Sequence, residues 1–253
     1  NVLKSLQDLN ILVDSRKLSS EQLLTLIPPG LLFRRLALNH TSEISHCTVL
    51  LKKLLNYMKP ELIISEYEVE AMQGVNHPSV EVRELCLNQV ERCVQTNSGV
   101  VKVIQNIDLV SFVIRNLSHS HMGCAKLASS ILLNISRHSN GLALLLDTIP
   151  QAEFAELMSE SQTICFRIYE LFVKIFEANQ NAYEQFKPMF SRLAAEIDSD
   201  DVLIQMNCIE LLTDLVTINQ VAYKLPAETG VNQKLYGILT SVESNPLAAL
   251  LMP

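Results

Sequence analysis

The stretch VLIQMNCIELLTDLV, from Val202 to Val216, places Ile204, Cys208, Leu212 and Leu215 at spacings of 4, 4 and 3. That spacing puts all four on one face of an α-helix. The same stripe recurs upstream. Forty residues earlier it is Ile164, Ile168, Phe172 and Ile175, and forty before that Cys124, Ala128, Leu132 and Ile135. A further step of 42 gives Val82, Cys86, Val90 and Cys93. Polar residues keep the phase, since Asn97, Ser139, Asn179 and Asn219 each stand four places after a stripe ends. Such residues make turns and helix caps. Gly99 and Gly141 follow at matching places, and Leu117, Leu157, Ile197 and Leu239 mark a second apolar segment. Each unit therefore reads as helix, polar turn, second helical segment. A period near 40 residues predicts an all-α, armadillo/HEAT-like α-solenoid, in which one unit cannot bury its own apolar face and must stack on its neighbours.

The N-terminal third is less regular. Cys47, Leu51 and Leu54 match Cys86, Val90 and Cys93 at an offset of 39, and Asn56 to Pro60 breaks that helix. SSEQLLTLI reads as a helix opening on a Ser and Glu start signal and ending at Pro28-Pro29-Gly30. The expected organisation is degenerate repeats forming an N-terminal cap over 1–76, four repeats over 77–241 and an apolar tail over 242–253, all in one continuous solenoid. NPLAALLMP, Asn245 to Pro253, carries no polar outer face, as a closing repeat requires. It reads as the start of a truncated repeat whose apolar surface would favour self-association of this chain.

Composition narrows the function classes. The chain has 253 residues, 48% of them hydrophobic and 19% charged, enough for a substantial core. Only seven glycines occur, which disfavours loop-rich β architecture and phosphate-cradling loops. The net charge is −7 and the basic residues come as short pairs, Arg34-Arg35 and Lys52-Lys53, without interleaved aromatics. This argues against a nucleic-acid partner, whose phosphates call for a basic stripe. No segment reaches the roughly 18 apolar residues of a membrane span, and no secretory leader is visible. The chain begins at Asn1 rather than Met, which suggests a natural start further upstream. Cys47, Cys86, Cys93, Cys124, Cys165 and Cys208 lie far apart and mostly within helical stripes. They read as reduced, buried thiols of a cytoplasmic or nuclear protein. The glycosylation-like triplets at Asn39, Asn116 and Asn134 are then chance matches.

Three clusters were candidates for chemistry. Asp198 to Asp201 (DSDD) lack the glycine of a calcium loop and precede a helix, where acids cap and complement the dipole. SHSHMGC brings His119, His121 and Cys124 close in sequence, but shows no fourth zinc ligand and reads as a solvated turn between repeats. Glu66, Glu68 and Glu70 would spread around a helix, either as an acidic patch for a basic partner or as a plain solvated face. Glu170 and Glu210 occupy equivalent flanks of their stripes and show no sign of convergence. No phosphate loop, GxSxG, HExxH or kinase signature occurs. The expectation is a binding protein without catalytic, cofactor or metal residues, its partner-contacting residues unassigned.

Several phrases in one order carry a family resemblance. They are LFRRLALNH from Leu32, VLLKKLLNYMKPE from Val49, HPSVEVRELCLNQV from His77, FRIYELFVKI from Phe166, DVLIQMNCIELLTDLV from Asp201 and GVNQKLYGILTSVESNPLAALLMP from Gly230. Together they resemble the N-terminal half of the 26S proteasome non-ATPase regulatory subunit 5 family. The resemblance implies an α-solenoid chaperone of the proteasome regulatory particle base. It would bind an ATPase subunit, chiefly its C-terminal domain, and leave before the mature proteasome forms. The alternative is an unrelated armadillo-like adaptor, such as a transport or signalling scaffold.

Overall fold

The computed structural model describes residues 2–15, 18–38, 40–218 and 222–240. All regular elements among them are helices. The chain divides into two compact units, Asn1–Leu144 and Leu145–Pro253.

In the first unit a long helix followed by two short ones recurs. The triads are α1 (Val2–Asp14), α2 (Ser20–Leu26) and α3 (Pro29–Ala37), then α4 (Thr41–Leu55), α5 (Pro60–Glu66) and α6 (Glu68–Val75), then α7 (Val80–Cys93), α8 (Asn97–Ile104) and α9 (Ile107–Arg115). α10 (Met122–Ser136) and α11 (Ser139–Leu145) begin the next triad. α1, α4, α7 and α10 pack in succession, α5 packs on α8, and α3, α6 and α9 form a third layer. Side-chain hydrogen bonds cross these layers at about one repeat of separation. Asn116 Nδ2 donates to the Val75 carbonyl at 3.1 Å, Arg92 to the Leu55 carbonyl at 3.3 Å, and Thr96 to Glu61 at 2.7 Å. Ser130 reaches Glu91 at 3.1 Å. Asn116 is buried and fully engaged, because Arg83 also donates to its side-chain oxygen. It is no glycan acceptor.

The stripe residues are core. Among the sixteen, Ile164 and Ile204 alone are half-buried, and the rest are buried. Cys47, Leu51 and Leu54 are wholly buried too. The glycines in phase have one physical cause. A Cβ on Gly99 would lie 1.8 Å from the Cys93 carbonyl oxygen, and one on Gly141 would lie 2.1 Å from that of Ile135. In both repeats the second helix begins against the last turn of the first, a gap that admits no side chain.

The second helical segment is divided between two helices in three of the four repeats, and is the single helix Tyr183–Ala195 in the other. Asn106 breaks it in one repeat, its side chain capping α9 by accepting from Leu109 N at 2.9 Å. Glu66, Glu68 and Glu70 do not share one helix, since Tyr67 ends α5 and begins α6, its ring packed at a tilt against Phe33 at 5.3 Å. At the N-terminus Ser19 caps α2 in a capping box with Gln22, and Pro29 opens α3. Proline in a first turn lacks only an N–H that would have no helical partner.

The second unit holds α12 (Thr148–Glu160), α13 (Gln162–Ala178), α14 (Tyr183–Ala195), α15 (Val202–Ile218), α16 (Leu225–Glu228) and α17 (Val231–Thr240). Here 3₁₀ turns at Gln180–Ala182 and Ala222–Lys224 precede the second segments. An aromatic cluster fills the core. Phe172 meets Phe154 edge-on at 5.0 Å, and Phe176 contacts Phe186 and Phe190 at 5.7 and 5.3 Å. Such pairs add to the stabilisation that burial alone brings. Leu117, Leu157 and Ile197 are buried, but Leu239 is exposed. Asn219 and the tail 242–253 lie outside the described residues, as does Asn39.

Candidate functional site

The repeat phase that builds the core also aligns a surface. Leu31, Val69 and Ile107 recur at intervals of 38 residues, each in the first turn of a third-layer helix, α3, α6 and α9. They are 58%, 56% and 44% exposed. Single exposed apolar residues are ordinary on any protein. Here α3 packs on α6 and α6 on α9, so the three mark the starts of successive helices in one layer of the first unit, a candidate row. Exposed Glu68 and Asp108 stand beside it. Between α3 and α6 lies a groove of about 130 Å³ lined by Phe33, Arg34, Val69, Glu70 and His77, among others. Its floor is fixed by His77, whose Nδ1 accepts from Ser79 N at 3.0 Å while Nε2 faces the Leu36 carbonyl at 3.3 Å. These three residues fall off the core stripes, so the helical period of a single repeat does not mark them. Their signal is the recurrence itself.

The cysteines are structural. All six are buried and free. Burial pushes the thiols of Cys86, Cys93 and Cys208 up to about 12 and that of Cys47 up to about 11. Cys124 and Cys165 are raised for the same main reason. Thiolate, the nucleophilic form, is therefore scarce at neutral pH. Cys208 Sγ sits 3.1 Å from the Leu193 carbonyl, a weak donor with a partner.

The three sequence clusters separate. In DSDD, Asp201 accepts from Leu203 N at 2.8 Å at the start of α15, and Asp198 pairs with Lys234. Glu170 and Glu210 are both exposed, Glu170 pairing with Lys174 one turn on at 2.7 Å. In SHSHMGC, His119 turns inward to its own loop, its Nδ1 accepting from His121 N at 3.0 Å. His121 and Cys124 instead meet Glu84 of α7. Their ligand atoms lie within 4.8 Å of one another, and His121 Nδ1 is 3.2 Å from Glu84 Oε1. This is the one group of three His, Cys, Asp or Glu side chains with metal-ligand proximity among the described residues. Sequence supplied two members. Glu84 is 37 residues from His121, a distance that only the packing of α7 on α10 closes.

Comparison with known proteins agrees with this architecture. Among solved structures, a crystallised engineered protein superposes with a TM-score of 0.54 over 90% of this chain and 57% of its own, at 14% identity. That likeness supports the helical repeat fold. The 26S proteasome non-ATPase regulatory subunit 5 of Homo sapiens is 26% identical over 226 residues, and its Bos taurus counterpart 27%. Each alignment covers 88% of this chain and 45% of the relative, so the chain spans somewhat under half their length. The family model described as proteasome non-ATPase 26S subunit matches residues 1–253, and the chain therefore belongs to the proteasome non-ATPase 26S subunit family.

Proposed function

We propose that the chain is a non-catalytic binding scaffold in assembly of the proteasome regulatory particle. It holds an ATPase subunit of the base, chiefly through that subunit's C-terminal domain. Its action is steric: while bound it covers surface needed for later docking, and it leaves before the mature proteasome forms. The reading places it in the cytoplasm or nucleus. Family membership over residues 1–253 is the observation that carries it.

The structure offers a surface suited to that role. We assign the partner's docking to the row of Leu31, Val69 and Ile107. Val69 and Ile107, with Glu68 and Asp108 beside them, suit a partner patch that is apolar at its centre and basic at its rim, while Arg34 at the Leu31 end suits an acidic group there. Buried thiols with raised pKa values leave the chain without an activated cysteine, which suits a scaffold. Capture of purified base ATPase subunits, and of their isolated C-terminal domains, tests the assignment. Binding by at least one subunit is expected. Failure to capture any, both with this chain and with one extended to the length of the relatives, would overturn it.

A further inference from the structure

Four departures from the repeat pattern converge at the start of α10. The residue three places before each stripe is Ser79, His121, Ser161 or Asp201. Ser161 and Asp201 use their side chains on the first-turn backbone N–H groups, with Ser161 Oγ accepting from Ile164 N at 3.3 Å. His121 takes the same N-cap position and, like Ser79, makes no side-chain cap bond; a ring stands where the other repeats have Ser or Asp, and its Nδ1 faces Glu84. The first stripe position is Val82, Ile164 or Ile204 in the other repeats, but Cys124 in this one. The position of Glu84 is held elsewhere by Lys126, Phe166 and Met206. Between His121 and Cys124 stands Gly123, where the others have Glu81, Thr163 and Leu203. A Cβ there would lie 2.1 Å from Glu84 Oε1 and 3.0 Å from the His121 ring. The glycine is what lets the carboxylate and the imidazole approach.

We propose that Glu84 Oε1, His121 Nδ1 and Cys124 Sγ form a zinc site that ties α7 to the first turn of α10. One sulfur, one nitrogen and one oxygen donor suit zinc better than the harder magnesium or calcium. Three protein ligands leave the fourth tetrahedral position to water. Cys124 is buried, whereas the Glu84 and His121 side chains are 36% and 47% exposed, so the ion enters from the solvent side. On binding, the Cys124 thiol gives its proton to solvent and its sulfur bonds the metal. His121 carries its remaining proton on Nε2, and its Nδ1 lone pair replaces the contact to Glu84 with a bond to the ion. Arg83, the nearby cation, donates its hydrogen bonds elsewhere, to the His77 carbonyl and to Asn116 at 3.0 and 3.1 Å.

The test is titration of the reduced, metal-free 253-residue chain with cobalt(II), followed by zinc. A thiolate-to-cobalt charge-transfer band is expected, saturating at one equivalent and bleached by zinc. Cys124→Ser should abolish it, while Cys165→Ala should leave it intact. Gly123→Ala changes no ligand and favours the helix, and should weaken cobalt binding roughly 10–100-fold by displacing the carboxylate. Circular dichroism of each variant confirms folding, and Glu84→Gln, which keeps the side-chain shape, replaces any variant that unfolds. No thiolate band in the parent chain, or a band that survives Cys124→Ser, would overturn the proposal.

Discussion

Cys86 and Cys208 hold one place in their repeats, and Ala128 and Ile168 hold it in the other two. A position that accepts thiol, methyl and sec-butyl groups asks only for an apolar filler. Cys208→Ala should therefore cost about 1 kcal/mol in denaturant unfolding, and Cys208→Asp several, because the latter buries a charge. The thiols also set a pH dependence. Cys86, Cys93 and Cys208 are raised from the ordinary 9.0 to about 12 in the folded chain. Between those values the folded state keeps protons that the unfolded state has lost. Their contribution is complete below about pH 9 and declines as pH rises toward 12. The unfolding free energy of Cys86→Ala should fall less steeply over that window than that of the parent. At this scale the buried thiols were legible in the sequence, since each sits in a periodic apolar stripe. The Glu84 contact was not, because a half-exposed glutamate on a helix flank looks like any solvated residue until a second repeat is laid against it.

Elements were legible where period and capping agree. The long helices α7, α10, α13 and α15 follow from their stripes. The break between α8 and α9 depends on Asn106 capping through its side chain, and Tyr67 divides α5 from α6 by packing on Phe33. Neither event leaves a periodic trace. The aromatic cluster of the second unit joins three helices, and sequence gives no sign of which rings will meet. Phe176→Ala should cost about 3–5 kcal/mol, the usual penalty for emptying a large aromatic site, as read from urea unfolding. The glycines allow a paired comparison. Gly99→Ala and Gly141→Ala force a Cβ into a backbone carbonyl and should destabilise by about 1–3 kcal/mol or more. Gly237→Ala, within α17 and with nothing inside 4 Å of the new carbon, should stabilise by roughly 0.5–1 kcal/mol. Equal effects at all three would remove the close-approach explanation.

At the scale of the molecule, stacking turns a sequence period into a surface. Residues about one repeat apart become neighbours, which is why Leu31, Val69 and Ile107 form a row although 76 residues of chain separate the first from the last. The all-helical repeat class was readable from the period alone, and the family from ordered phrases that outlast local divergence. The docking row needed the layer of α3, α6 and α9 to be seen, because periodicity says which residues are equivalent and not which layer faces solvent. The most direct measurement is the affinity of the chain for the C-terminal domain of a base ATPase subunit, by calorimetry, before and after Val69→Glu and Ile107→Glu are introduced together. Saturable binding by the parent is expected, weakened about tenfold or more by the pair, with the melting temperature of the chain unchanged. Unaltered affinity in the doubly substituted chain would contradict the docking row, and absence of binding to every base ATPase subunit, by this chain and by one of the relatives' full length, would contradict the scaffold itself.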